Sequence, residues 1–181
     1  MVYVHLADGF EEIEALTIVD VLRRADIAVN TVSVTDAKTV RGAHDIMVAA
    51  DLLFQEADYE KCEMIVLPGG MPGTANLAKH EGLAKQLNAF AQNGKWLAAI
   101  CAAPSVLGSL SLLKGKRVTS YPGYQNQLIG ATYTEESVVR DGKLITSRGP
   151  GTAMEFSLKL VELLKNEQVA SALRKAMITL P

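Results

Sequence analysis

The sequence predicts one doubly wound α/β domain, with helices on both faces of a mostly parallel sheet. Short apolar, β-branched runs alternate with longer runs of helical periodicity along the chain. The pair Asp141-Gly142 between two apolar runs is typical of a two-residue hairpin, which adds an antiparallel piece at one edge of the sheet. At 181 residues, 49% of them hydrophobic, a single domain over residues 1–181 is expected.

The first half of the chain alternates strand and helix signals. Apolar runs predict strands at Val2–Leu6, Ala28–Val34, Ile46–Ala49 and Met64–Leu67. A helix is expected at Glu11–Ala25, because apolar residues recur every three positions on the face expected to be buried: Ile13, Leu16, Val19 and Leu22. The rest of residues 36–58 is expected to form loop, and Pro68-Gly69-Gly70 ends the last of these strands.

The second half continues this alternation. A helix over Gly82–Asn93, with Gly94 suited to its C-terminal cap, precedes a buried strand at Trp96–Ile100. The elements expected next are a helix at Ala103–Leu110, a strand at Arg117–Ser120, a short helix at Tyr124–Ile129, hairpin strands at Val138–Arg140 and Leu144–Ser147, and helices at Thr152–Leu164, capped by Thr152, and at Val169–Ala176.

Composition and charge argue against several classes of protein. The net charge of −2 disfavours a nucleic-acid or membrane-surface role that depends on bulk charge. The uncharged run Trp96–Leu113 contains Pro104 and Gly108, so a buried strand and helix are expected there instead of a membrane span. Two cysteines cannot form a disulfide scaffold and are expected to be reduced thiols in the cytoplasm. The first residues lack a basic region, so no signal peptide is expected.

Three loops at the carboxyl ends of strands are expected to share the edge where doubly wound sheets bind ligands. They follow Leu6, Leu67 and Ile100. The third begins with Cys101, between a buried strand and a helix, so the cysteine is expected at a sharp turn that resembles a nucleophile elbow in its mechanics. The adjacent helix N-terminus is expected to favour the thiolate. A buried, inert thiol is the alternative.

Two further features are candidates for a site around Cys101. Gly69 and Gly70 allow backbone N–H groups to approach an oxyanion, with an ordinary turn as the alternative. Glu14, three residues from Glu11, would have a raised pKa if it were buried against a thiolate, with a favourable helix-dipole interaction as the alternative. No metal site is expected, because no local spacing relates the three histidines: His5, His44 and His80.

Four motifs, in this order, resemble the ThiJ/PfpI superfamily, in particular the branch of the parkinsonism-associated protein deglycase and its bacterial relatives. They are Gly9-Phe10-Glu11-Glu12-Ile13-Glu14, Val66-Leu67-Pro68-Gly69-Gly70, Ala98-Ala99-Ile100-Cys101-Ala102-Ala103-Pro104 and Thr146-Ser147-Arg148-Gly149-Pro150-Gly151-Thr152. The resemblance covers nearly the whole chain. It implies a flavodoxin-like, doubly wound three-layer sandwich, which agrees with the fold class predicted from the residues.

The resemblance also implies roles for individual residues. Cys101 matches an elbow cysteine that is readily oxidised to a sulfinate, and Glu14 matches the acid that hydrogen-bonds its sulfur. The backbone groups implied to face the reactive site are those of Gly69, Gly70 and Ala102. Members are typically homodimers with the site near the interface, and the residues that match positions at or near that interface are Arg24, His44 and Pro150.

Two positions depart from the pattern of the superfamily. Ala102 stands where the peptidase-like branch has a histidine directly after the cysteine, so peptidase activity is not expected. Tyr121 precedes Pro122 where close relatives often carry a histidine. Tyr121 is expected to line the pocket wall, with a hydrogen bond near the sulfur as the alternative. No histidine follows residue 80, which argues against a class I amidotransferase.

The resemblance implies a cysteine-dependent, cofactor-independent glyoxalase or deglycase. Cys101 would add to a 2-oxoaldehyde such as methylglyoxal, or act on its early glycation adducts, and Glu14 would move a proton. The alternative is an oxidative-stress sensor or redox-regulated chaperone, in which oxidation of Cys101 is the function. A role in thiamine metabolism has only the older superfamily name in its favour. No metal, cofactor, nucleic-acid or membrane partner is expected.

Overall fold

A seven-stranded sheet forms the centre of the computed structural model, which describes residues 1–179. From one edge to the other, its strands are β10 (Val138–Asp141), β11 (Leu144–Ser147), β7 (Trp96–Ile100), β6 (Met64–Leu67), β1 (Val2–Leu6), β2 (Val29–Ser33) and β5 (Leu52–Leu53). Every neighbouring pair is parallel except the β10–β11 hairpin. The predicted parallel sheet with an edge hairpin is therefore confirmed.

Helices cover both faces of this sheet. They are α1 (Glu12–Arg24), α2 (Gly73–Lys79), α3 (Glu81–Gln92), α4 (Pro104–Ser109), α5 (Ala153–Leu164) and α6 (Glu167–Ala176). Helices α1, α5 and α6 pack together over one face, and α2, α3 and α4 contribute to the core on the other. Within residues 1–179, each helix is too short or too polar to span a bilayer.

The central strands supply side chains to two separate cores. In β6, Met64 and Val66 join the core beneath α1 and α5, whereas Ile65 and Leu67 join the core beneath α3 and α4. Successive side chains of a strand point to opposite faces, so a strand covered on both sides must be apolar throughout. This is why the β6 and β7 sequences are continuous apolar runs and were predictable from the sequence.

The structure corrects the predicted buried face of α1. Ile13 and Leu16 are 57% and 39% exposed, although the three-residue spacing predicted that they are buried. The buried stripe instead includes Ala15, Ile18, Val19 and Leu22. A step of three residues turns about 300° around a helix with 3.6 residues per turn, so a strict spacing of three drifts off any one face.

Several short elements also differ from the prediction. The strand predicted at Ile46–Ala49 is present as β4 (Met47–Ala49), but its hairpin partner β3 (Thr39–Arg41), the short β5 and helix α2 were not predicted. The expected strand at residues 117–120 is only β8 (Arg117–Val118), which pairs with β9 (Thr132–Tyr133) outside the central sheet. The helix expected at residues 124–129 is a single 3₁₀ turn, Gln125–Gln127. Such short pairings depend on tertiary contacts more than on sequence periodicity.

The ends of two helices illustrate what local sequence does and does not decide. Gly94 follows α3 with a φ of +63°, the left-handed conformation that suits the end of a helix. Thr152 precedes α5 but does not cap it. Its hydroxyl instead bonds to the Ser147 hydroxyl at 2.7 Å and accepts the Gly149 N–H at 3.1 Å, so it joins α5 to β11.

Candidate active site

The loops that follow β1, β6 and β7 meet at the carboxyl edge of the sheet, as the topology predicted. The N–H of Glu11 donates to the carbonyl oxygen of Gly69 at 2.9 Å, and the N–H of Gly73 donates to that of Gly9 at 3.1 Å. These two bonds join the first loop to the second. Cys101, in the third loop, lies against Gly69.

Cys101 occupies a sharp strand-to-helix turn. Its φ is +65°, a left-handed conformation that costs a residue with a side chain about 1–2 kcal/mol. Two backbone bonds hold the turn: the Cys101 N–H donates to the Ser147 carbonyl at 2.9 Å, and the Cys101 carbonyl accepts the Tyr121 N–H at 2.8 Å. The side chain is nearly buried, because Cys101 is only 9% exposed. The predicted elbow geometry is therefore present.

Glu14 reaches this turn from the first helical turn of α1. The residue is fully buried, and its Oε2 accepts the Gly69 N–H at 2.7 Å. Its Oε1 lacks a hydrogen-bond partner among residues 1–179 that meets strict geometry, although the carboxyl group lies within hydrogen-bonding reach of the Cys101 thiol. A β-carbon added to Gly69 would lie 2.6 Å from Cys101 Cβ and 2.9 Å from Glu14 Oε2. Only glycine allows the acid and the thiol to approach each other here.

Burial disfavours negative charge on both members of this pair. Burial raises the pKa of Glu14 from 4.5 to about 7, against the lowering effect of its hydrogen bonds with Gly69 and Cys101. Burial, together with the Glu14 charge, raises the pKa of the Cys101 thiol to about 12. The expectation that the helix N-terminus favours a free thiolate is therefore wrong. Helix α4 has only six residues, and its contribution is too small to offset desolvation.

Two backbone N–H groups are directed at the sulfur. The N–H groups of Gly70 and Ala102 both lower the pKa of Cys101, although burial outweighs them. Gly70 has a φ of +88° and packs directly against the Gly9–Glu11 backbone, which leaves no room for a side chain. The N–H of Gly69, which was predicted to face an oxyanion, is instead bonded to Glu14. Gly70 and Ala102 therefore supply the backbone N–H groups that act on the Cys101 sulfur.

Tyr121 and Pro150 lie together beside this turn. They line a shallow cleft of about 240 Å³, whose other lining residues are Pro122, Arg148, Gly149, Gly151 and Thr152. Tyr121 is 47% exposed. Tyr121 therefore lines a cleft beside the Cys101 turn, and its role as a wall of the reactive pocket stays a prediction.

Arg24 and His44 lie on the exposed surface. Arg24, in the last turn of α1, forms an ion pair with Asp20 at 2.7 Å. The His44 ring Nδ1 lies 2.8 Å from Glu12 Oε2, and its backbone N–H donates to Glu12 Oε1 at 2.7 Å. The bond to Glu12 raises the pKa of His44. Burial raises the pKa of Glu12, but its two bonds with His44 oppose this and the net direction is downward.

Sequence spacing did not predict that these side chains come together. One ligand atom from each of Glu11, Glu12 and His44 lies within 4.8 Å of the other two, close enough for the three atoms to bind one metal ion. Both oxygens of Glu12 already accept hydrogen bonds from His44, so an ion pair accounts for the arrangement. The contact joins α1 to the β3–β4 hairpin, 32 residues away in sequence, and no local pattern could reveal it.

Comparison with known proteins identifies the family. The profile of the DJ-1/PfpI family matches residues 1–163. The chain belongs to the DJ-1/PfpI family. The oxidized DJ-1 of Toxoplasma gondii has a closely similar structure, with a TM-score of 0.94 and 38% identity over 98% of this chain and 97% of that one. This similarity confirms the flavodoxin-like fold of the DJ-1 proteins.

Curated DJ-1/PfpI relatives are similar over nearly the whole chain. Protein DJ-1 homolog B of Arabidopsis thaliana is 39% identical over 178 residues, which make up 98% of this chain and 41% of the plant protein. The chain therefore spans less than half the length of that relative. Glutathione-independent glyoxalase DJR-1.2 of Caenorhabditis elegans is 31% identical over 169 residues, which make up 92% of this chain and 89% of the nematode protein.

Proposed function

We propose that this protein is a cysteine-dependent, cofactor-independent glyoxalase or deglycase. Its substrates are 2-oxoaldehydes such as methylglyoxal, or the early glycation adducts that they form. The observation that carries the proposal is the buried pair of Cys101 and Glu14, which places a nucleophile beside an acid whose pKa is raised to about 7. The nematode relative that is named a glutathione-independent glyoxalase supports it.

The first step forms a covalent adduct. Cys101 transfers its proton to Glu14, and the sulfur attacks the aldehyde carbon, so that a carbon–sulfur bond forms and the carbonyl electrons move to oxygen. That oxygen then takes the proton from Glu14, which yields a hemithioacetal. The N–H groups of Gly70 and Ala102 stabilise negative charge that develops beside the sulfur.

The second step moves hydrogen between adjacent carbons. The Glu14 carboxylate removes the proton from the former aldehyde carbon, which gives an enediolate, and the hydroxyl proton of the adduct passes to the neighbouring oxygen. The proton returns to the neighbouring carbon, which gives the thioester of a 2-hydroxy acid. Water then cleaves the carbon–sulfur bond and restores the thiol. The sequence of steps is redox-neutral, because the aldehyde carbon is oxidised while its neighbour is reduced.

Lactate formation from methylglyoxal, without glutathione, tests this proposal. Cys101→Ser is expected to abolish turnover, and Glu14→Gln to lower kcat by about 10²-fold or more, the range typical of general acid–base groups. Cys62→Ser is the matched control and is expected to retain activity, because Cys62 is buried and precedes β6, whereas the site follows β6 at the opposite edge of the sheet. Equal lactate production by the wild type and Cys101→Ser would refute the proposal.

A redox sensor is the second candidate function. Cys101 is more exposed than Cys62, at 9% against 1%, and has the two backbone donors and Glu14 around it to bind sulfinate oxygens. The similar Toxoplasma gondii structure is of an oxidized protein. Mass spectrometry after titration with low concentrations of peroxide is expected to show a sulfinate on Cys101 first. Equal modification of the two cysteines would count against this function and against its extension to a redox-regulated chaperone.

We also propose that the chain forms a homodimer through the exposed face of α1 and the β3–β4 hairpin. Ile13 and Met47 are 57% and 52% exposed, and the bond between Glu12 and His44 joins the two elements that carry them. Sedimentation is expected to give about twice the chain mass of 19.4 kDa. Ile13→Glu is expected to give the monomer mass, whereas Ile129→Glu, at another exposed apolar residue, leaves the dimer intact. A wild-type monomer at micromolar concentration would contradict the proposal.

Of the positions that match the dimer interface of the superfamily, Arg24 lies in α1 and is assigned to this contact, whereas Pro150 lines the cleft beside the Cys101 turn. A cytoplasmic location fits the proposed function, because both cysteines are free thiols and a reducing compartment would preserve them.

A further inference from the structure

The cleft beside Cys101 has no role in the chemistry proposed above. Its walls are bonded to the backbone of the cysteine from two sides. The N–H of Tyr121 donates to the Cys101 carbonyl at 2.8 Å, and Arg148 directly follows Ser147, whose carbonyl accepts the Cys101 N–H at 2.9 Å. A substrate that is bound to the sulfur therefore has this cleft within its reach.

The polar side chains that line the cleft already form hydrogen bonds within the protein. The Thr152 hydroxyl exchanges bonds with Ser147 and Gly149, at 2.7 and 3.1 Å. The Arg148 guanidinium donates to the carbonyl oxygen of Glu135 at 3.3 Å, and Arg148 is the one charged residue of the lining within the described chain. What remains for a ligand is mainly the apolar surface of Tyr121 and the two prolines, Pro122 and Pro150.

The ring of Tyr121 packs on the backbone of the cleft at Gly149, and the cleft is open at Gly151. A β-carbon added to Gly149 would lie 3.2 Å from the ring, so the ring packs on the glycine backbone. A β-carbon added to Gly151 would meet no atom within 4 Å. An aromatic ring that packs on the backbone and is 47% exposed suits a flat ligand group that can stack on its free surface.

We propose that this cleft is the subsite for the substituent of the substrate, the group R in R–CO–CHO, and that it selects apolar and aromatic substituents. The inference rests on the proposed function, because it assumes that Cys101 attacks the aldehyde carbon. Tyr121 is then a specificity-determining residue, since its ring contacts the substituent and takes no part in proton transfer. A cleft of about 240 Å³ is larger than the methyl group of methylglyoxal requires.

Turnover of two substrates that differ only in R tests the subsite. The ratio of kcat/KM for phenylglyoxal to that for methylglyoxal is expected to fall about three- to tenfold in Tyr121→Ala, the effect of losing one aromatic contact. Tyr121→Phe keeps the ring and is expected to keep the ratio. Ile129→Ala, which removes an exposed apolar side chain outside the cleft, is the matched control. An unchanged ratio in Tyr121→Ala would overturn the inference.

Alkylation of Cys101 tests the subsite without turnover. The probes are 2-bromoacetophenone and bromoacetone, which carry phenyl and methyl groups on the same bromomethyl ketone. The sulfur forms a bond to the methylene carbon, bromide leaves, and the thiol proton passes to Glu14 or water. Rates are measured by mass spectrometry and divided by those of a free thiol such as N-acetylcysteine. The normalised preference for phenyl is expected to fall about three- to tenfold in Tyr121→Ala.

The two measurements separate failure of the subsite from failure of the proposed function. A phenyl preference in alkylation that depends on Tyr121, without any cysteine-dependent turnover, would support the subsite and refute the glyoxalase function. Cysteine-dependent turnover with the same substituent ratio in the wild type and Tyr121→Ala would support the function and refute the subsite.

Discussion

Replacing Glu14 with glutamine is expected to stabilise the protein at pH 8, although it removes a proposed catalytic group. The amide oxygen of the new side chain can still accept the Gly69 N–H that Glu14 accepts at 2.7 Å, and its NH₂ group can donate to the Cys101 sulfur. What the substitution removes is the cost of a buried negative charge. Because Glu14 is fully buried, water does not screen this cost.

The pKa of Glu14 sets the size and the sign of the effect. Its rise from 4.5 to about 7 corresponds to about 3.5 kcal/mol, at about 1.4 kcal/mol per pKa unit. Between these values the folded protein retains a proton that the unfolded chain has released, so wild-type stability falls as the pH rises. About 1 kcal/mol of this cost is already present at pH 5, so about 2.5 kcal/mol is expected to develop between pH 5 and pH 8.

Urea unfolding at fixed protein concentration measures this difference, with the fluorescence of the single tryptophan, Trp96, as the signal. The free energy of unfolding of Glu14→Gln minus that of the wild type is expected to increase by about 2.5 kcal/mol from pH 5 to pH 8. Glu60→Gln, at an exposed glutamate, is the matched control and is expected to follow the wild-type pH profile. Parallel profiles for the wild type and Glu14→Gln would refute the assignment of a raised pKa to Glu14.

Two further predictions concern the site and its surroundings. Gly69→Ala places a methyl group 2.6 Å from Cys101 Cβ, so it is expected to cost about 1–3 kcal/mol in urea unfolding and to slow alkylation of Cys101. Gly151→Ala meets no neighbouring atom and is expected to unfold like the wild type; equal midpoints for the two variants would contradict the packing argument. The His44 imidazole is expected to titrate above 6.5 by NMR, because Glu12 favours its charged form, and Glu12→Gln is expected to lower its pKa. The bond between His44 and Glu12 stabilises the fold fully below pH 6.5 and weakens as the pH rises through the raised pKa of His44. An unchanged His44 titration in Glu12→Gln would contradict this.

Much of the central sheet was predictable because burial on both faces leaves a strong sequence signal. The β1, β6 and β7 strands are apolar at almost every position, and Asp141-Gly142 identifies the edge hairpin directly. Elements with weaker signals were missed. Helix α2 follows a loop rich in glycine and proline, and the small β8–β9 sheet has two residues in each strand, too few for a periodicity.

The buried face of α1 shows the limit of a pattern without its neighbours. A spacing of three residues placed Ile13 and Leu16 in the core, whereas packing of α1 against the sheet and α5 buries the stripe that contains Ile18 and Leu22. The exposed apolar residues became interpretable only after the helix had been placed against the rest of the fold.

By itself, the sequence predicted the central parallel strands and the elbow position of Cys101, because strand order brings the carboxyl ends of parallel strands to one edge. The contact of Glu14 with the sulfur was implied only by the resemblance to the superfamily. The tertiary structure alone decided the protonation of the pair, since desolvation depends on atoms from loops far apart in the chain. It also decided that the Gly69 N–H donates its hydrogen bond to Glu14, and that Tyr121 and Pro150 line the same cleft. These features depend on distances between segments with no local sequence relation, which no periodicity or motif spacing encodes.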